Sequence, residues 1–281
     1  MSFFLSHEEQ RDTMKTIILN SSNIVGGQNN QLVYAFPQGA VNFQGNRIGL
    51  SSLSIYYSWP NINPGNGGWS YTWIDGTVIN ITLPAGFYDV KAMNAYLQSK
   101  MVENNHYLVD SAGNFVYYLE LATNATFYAV QINSYPVPTA LPVGWTKPGA
   151  WAFPGVARTP QLTITTLSPL LGIAAGNYPP APQATAYSIL STVAPQITPV
   201  QSVLMSCSLI NNDLSVPSNL FYSFSPNNVE YGSIVSVVPS EPVMSYIQDG
   251  QYASFQIRFF DQSLNPLTIL DPNMVLLLQI L

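Results

Sequence analysis

The segment that constrains this chain most is Met274-Val-Leu-Leu-Leu-Gln-Ile-Leu281. It follows the turn pair Asp271-Pro272 and reads as a strand that is apolar almost throughout. Left at an open sheet edge, such a strand would pair with other chains and aggregate. It therefore belongs in the middle of a sheet, or under cover on both faces.

The rest of the chain is strand-dense as well. Ile17-Ile-Leu19 and Leu32 to Phe36 are short apolar runs separated by Gly26-Gly27 and Asn29-Asn30. Arg47 to Trp59 alternates Ile48 and Leu50, then Leu53, Ile55 and Tyr57, with a phase change at Ser51-Ser52 that predicts a bulge. Trp69 to Ile74 and Thr77 to Leu83 flank Asp75-Gly76, a hairpin signature. Phe115 to Leu121 and Phe127 to Ile132 flank Thr123-Asn-Ala125 and read as a second hairpin. Gln161 to Thr165 reads as a strand and Pro169 to Ile173 as a helical turn. Downstream, Val203 to Ile210, Phe221 to Phe224, Ser233 to Val238, Val243 to Ile247 and Tyr252 to Phe260 are further strands.

One segment repeats at helical spacing. Asp89 is placed as an N-cap, and Val90, Met93, Leu97 and Met101 form an apolar stripe expected to lie on a sheet. Lys91 and Lys100 fall on the wet face, and His106, just past the helix, is expected at the surface. The fold class is therefore all-β: a jelly-roll β-sandwich with extra hairpins, long Pro-rich loops and one amphipathic helix. Residues 1–14 read as an N-terminal arm and 15–281 as a single jelly-roll domain. An insertion or contact region is expected at about 135–199, which holds the Pro-rich stretches Tyr135–Pro160 and Gly176–Pro199.

Charge sets the class of partner. Charged residues are 8% of the chain, against roughly 25% in an ordinary soluble domain. Interface cores are depleted in Lys, Glu and Asp and enriched in aromatics, and this chain has 17 Tyr, 13 Phe and 5 Trp. No Lys or Arg occurs between Arg158 and Arg258, and the net charge is −6, so phosphate binding and direct contact with nucleic acid are not expected. Cys207, the single cysteine, lies in an apolar run and reads as a buried structural thiol. The start, Met1-Ser-Phe-Phe-Leu5, is too short for a secretory leader, and no stretch approaches the roughly 20 apolar residues of a membrane span. Synthesis in a reducing cytosolic or nuclear compartment is the expectation, with the sequons at Asn20, Asn80 and Asn124 as chance matches.

Catalytic constellations are not expected. His7 and His106 have no ligand-like partners nearby, so neither a metal site nor a cofactor is anticipated. Of the carboxylates that a glycosidase would need, Asp75, Glu120, Asp213, Glu230, Asp249, Asp261 and Asp271, three sit at turns whose chemistry accounts for them. Phe3, Phe4, Trp145 and Trp151 are the candidate assembly or ligand contacts. With Trp69 and Trp73, these tryptophans motivate an alternative, a carbohydrate- or receptor-binding fibre or lectin-like protein.

Three segments in order carry a family resemblance: Leu50-Ser-Ser-Leu-Ser-Ile-Tyr-Tyr-Ser-Trp-Pro60, Ile81-Thr-Leu-Pro-Ala-Gly-Phe-Tyr-Asp-Val-Lys-Ala-Met-Asn-Ala-Tyr-Leu-Gln98, and Phe255 to Ile280 with its Asp261-Gln-Ser-Leu-Asn-Pro-Leu267 turn. Together they resemble the minor capsid (penton) proteins of virophages and Polinton-like viruses. That resemblance implies a non-enzymatic single jelly roll, assembled as a homopentamer at icosahedral vertices. It also implies hexon-like major capsid protein trimers as neighbours, with cement proteins or a host receptor as further contacts.

Overall fold

The computed structural model describes residues 14–281. The arm expected over 1–14, with Phe3 and Phe4, lies outside the described residues apart from Met14. The described chain divides into two compact units: the residues up to Trp59 together with Val200–Leu281, and Pro60–Pro199. The excursion from the first unit thus begins at Pro60, well before the expected Tyr135. Three strands of four residues or more precede it: β1 (Lys15–Asn20), β2 (Gln28–Ala35) and β3 (Arg47–Tyr56).

The Pro60–Pro199 unit has its own sheets and core. Its strands of three residues or more are β4 (Gly68–Thr72), β5 (Val78–Thr82), β6 (Leu119–Asn124), β7 (Ala129–Ser134), β8 (Gln161–Ile164), β9 (Gly176–Tyr178) and β10 (Tyr187–Leu190). They form a sheet of order β9-β8-β4-β5 and another of order β6-β7-β10. Helix α1 (Val90–Glu103) starts where Asp89 Oδ1 accepts the Ala92 N–H at 2.6 Å. Val90, Met93, Leu97 and Met101 are all buried, and each contributes about 1.5–3 kcal/mol of apolar burial. Asn94 Oδ1 accepts the Leu121 N–H at 2.9 Å and ties the helix to β6.

After Val200 come β11 (Val203–Cys207), β12 (Leu220–Phe224), β13 (Ile234–Val237), β14 (Ser254–Asp261) and β15 (Met274–Ile280). Their pairing with β1–β3 is nested. Counting strands of four residues or more, the first strand of this unit pairs with the last, β1 with β15, and the second with the next to last, β2 with β14. The third pairs with the sixth, β3 with β13, and the fourth with the fifth, β11 with β12, every pair antiparallel. Cross-pairs β15–β3 and β11–β14 then complete two sheets, β1-β15-β3-β13 and β12-β11-β14-β2. A long hairpin wrapped into two sheets in this order is a jelly roll.

The terminal strand β15 sits between β1 and β3, where its unbroken apolar character requires it. In the β15–β3 ladder, Leu277 pairs with Ser52 and Leu278 with Leu50, so Ser51 is the extra residue of a bulge. Alternation holds along β15 and β14: Leu276 and Leu278 are buried, as are Phe255, Ile257 and Phe259.

Candidate assembly surface

Period-two alternation sends every second residue of β1, β15, β3 and β13 away from the sandwich core. The cross-strand rows on that outer face are Thr16–Gln279–Gly49, Ile18–Leu277–Ser52 and Asn20–Val275–Ser54–Ser236, with Tyr56 opposite Ile234. Among the described residues of these rows, no side chain is charged. Ile18, Val275 and Ile234 are 57%, 48% and 51% exposed, although their neighbours on the same strands are buried. Charge appears at the end of the sheet where β3 begins, with Arg47, whose Nη2 donates to Tyr246 Oη at 2.7 Å while the guanidinium lies over the Tyr246 ring at 4.6 Å.

At the other end the face sinks into a depression of about 460 Å³ around Tyr56, Ile234 and Val275. Its rim is polar and pinned. Asn20 Oδ1 accepts from the Ser22 N–H and Oγ–H at 2.9 and 2.7 Å, and the Asn20 N–H donates to Asn23 Oδ1 at 2.9 Å. Across the depression, Asn273 donates through its N–H and Nδ2–H to Asp271 Oδ1, each at 2.8 Å. Asp271 N–H is itself held by Ser58 Oγ at 3.0 Å. An apolar centre with an ordered, polar rim matches the anatomy of a protein–protein contact.

Elsewhere, apolar side chains stand in solvent on loops that are themselves fixed. Leu214 and Val216 are 97% and 90% exposed, on a loop closed by Leu214 N–H to Asn212 Oδ1 (3.0 Å) and Asn212 N–H to Ser218 O (2.7 Å). In the Pro60–Pro199 unit, Phe127 and Tyr128 are exposed at the tip of the β6–β7 hairpin. Among the described residues one ion pair is present, Lys100 Nζ to Glu103 at 2.7 Å.

Two virophage structures resemble this chain. One is the mavirus penton protein, at 9% identity and a TM-score of 0.43, covering 95% of this chain and 97% of the other. The second is a chain in the cryo-EM structure of the Sputnik virophage, at 12% identity and a TM-score of 0.38, covering 95% and 96%. No family model matches the sequence, and no curated protein matches it significantly. The jelly-roll assignment rests on the nested strand pairing itself.

The tryptophans that motivated a sugar-binding alternative are placed differently from that expectation. Trp69, Trp73 and Trp151 are buried, and Trp145 packs half-buried against the same core. Trp151 donates its indole N–H to Asn105 O at 2.8 Å, so its polar edge is also used internally. A buried indole offers no open face for a sugar ring. His106, expected at the surface, is buried too, because a neighbouring strand supplies Tyr71 and Trp73 around it.

The carboxylates shape local backbone. Asp75 Oδ1 accepts the Thr77 N–H at 2.9 Å and Asp249 Oδ1 the Gly45 N–H at 2.9 Å, while Glu120 Oε2 accepts from Asn133 Nδ2 at 3.1 Å. Cys207 is buried, and burial pushes its thiol up to about 12, so it carries no thiolate for nucleophilic chemistry at neutral pH. No helix is long and apolar enough to cross a membrane among the described residues.

Proposed function

We propose that this chain is a structural virion protein. It closes head to tail into the pentameric vertex capsomer, or penton, of an icosahedral double-stranded DNA virus capsid and abuts hexon-like major capsid protein trimers. The observation that carries the reading is the run of uncharged cross-strand rows, from Thr16–Gln279–Gly49 to Tyr56–Ile234, on the outer face of β1-β15-β3-β13. A sheet face meant for water is ordinarily dressed with Lys, Glu and Thr, whereas this one presents Ile18, Leu277, Val275 and Ile234 among Ser and Asn.

Ring closure by identical subunits needs two different faces per subunit, and vertex neighbours need more. That demand accounts for a surface short of charge in many places at once, including the Leu214–Val216 loop. Five-fold order is what the motif resemblance implies, and a virion location with assembly in host cytoplasm or nucleus follows from the same reading.

Single substitutions Ile18→Lys and Val275→Lys place a charge on the exposed face without touching the core. Each variant is expected to keep the circular dichroism and melting temperature of the parent and to lose oligomers in light scattering. Full assembly in both variants would remove this face from the account.

A further inference from the structure

A cluster of aromatic rings in the Pro60–Pro199 unit surrounds one imidazole. His106 follows α1, and its backbone N–H donates to Met101 O at 2.8 Å. Its imidazole lies flat against the Trp73 indole, 4.7 Å between centroids and 7° between planes, and edge-on to Tyr71 at 5.7 Å. Nδ1 is 2.9 Å from Tyr71 Oη. Trp73 meets Trp151 edge to face at 5.3 Å, and Trp151 is anchored on Asn105 O, next to His106 in the chain. His106, with Trp73 and the Asn105 carbonyl beside it, therefore joins the end of α1, strand β4 and its extension, and the loop carrying Lys147, Trp151 and Phe153.

We propose that His106 is a proton-operated latch of this unit: uncharged, it holds these three parts together, and protonation in mild acid loosens them. A charged imidazole seeks water, and inside this cage it reaches water only if the packing opens. The groups that face it are few. Asp75, on the turn after β4, draws the proton in. On α1, Lys100 and Glu103 neutralise each other, and Lys147 sits over the Trp151 ring at 4.7 Å as a further positive charge. Tyr71 stays a neutral hydroxyl, because burial raises its pKa.

Burial is the larger effect on His106 and holds it below its ordinary value of 6.5, with Asp75 opposing. As pH falls, the unfolded chain thus takes up the proton before the folded one. The stabilising contribution is complete above about 6.5 and is lost as pH falls through the folded-state value. The first unit holds no histidine among its described residues, so the effect belongs to Pro60–Pro199. This inference stands whether or not the chain builds a vertex.

Thermal unfolding of the full chain at about pH 7.5 and about pH 5 tests it, alongside His106→Phe, which keeps a ring in place and removes the titration. The transition of the Pro60–Pro199 unit in the parent is expected to fall by about 3 °C or more on acidification. That of the variant is expected to stay put. Proton NMR of the parent imidazoles, with His7→Gln to assign the signals, decides the matter even where the Phe variant fails to fold. His106 titrating below about 6.5 supports the latch. An ordinary titration of His106, or an equal acid shift in parent and variant, overturns it.

Discussion

Leu264 occupies in one loop the position that Gly113 occupies in another. In the first, Asp261 Oδ1 accepts the N–H groups of Ser263 and Asn265 at 2.8 and 2.9 Å, and Asn265 Nδ2 donates to Oδ2 at 3.0 Å. In the second, Asp110 makes the same bonds to Ala112, Asn114 and Asn114 Nδ2 at 2.9, 2.8 and 3.0 Å. The residue before each Asn is left-handed, with φ +87° at Gly113 and φ +65° at Leu264. A side chain with a Cβ pays for that conformation with about 1–2 kcal/mol, which glycine avoids. Leu264→Gly is therefore expected to raise stability by about 0.5–1 kcal/mol, after allowing for the greater freedom of glycine in the unfolded chain. Urea unfolding measures it, and a lower midpoint would show that the Leu264 side chain holds the loop.

Gly172 faces the opposite constraint. Its φ is +67°, and a Cβ there would run into the carbonyl of Val193, whose N–H, with that of Thr192, donates to Gly172 O. Gly172→Ala adds left-handed strain to a backbone clash, so a loss of about 3 kcal/mol is expected. The loss should appear in the Pro60–Pro199 unit, read by hydrogen exchange of β7 and β10. Parent-like protection there would mean that the 192–193 turn yields freely.

Two substitutions separate the capping and packing contributions of α1. Asp89→Ala removes the acceptor for the Ala92 N–H and is expected to cost about 1 kcal/mol. Leu97→Asp puts a carboxylate at a fully buried position and should abolish soluble expression. Near-parent thermal stability in the second variant would refute the buried stripe.

Much of the sandwich was legible because its signals are local. The phase slip at Ser51-Ser52 became the bulge opposite Leu277 and Leu278, and the unbroken apolar character of Met274–Leu281 put β15 inside a sheet. Which sheet a strand joins is not a local property. Trp69–Leu83 alternates like a sandwich strand pair, so nothing in its period announced that Pro60 opens a separate unit. Strands β9 and β10 lie among prolines and glycines that read as loop, and their partners β8 and β7 lie elsewhere in the chain. The burial of His106 depends on Trp73 and Trp151, neither adjacent to it in sequence. The composition announced a surface without charge, but its location on β1, β15, β3 and β13 follows from pairings such as Ile18 with Leu277.

The central claim is that subunits sharing this face close into a five-membered ring. Negative-stain imaging of the purified assemblies, averaged without imposed symmetry, tests it most directly. Ring-shaped class averages with five-fold symmetry are the expected result. Averages with three-fold symmetry, supported by a stable trimer mass in light scattering, would contradict it.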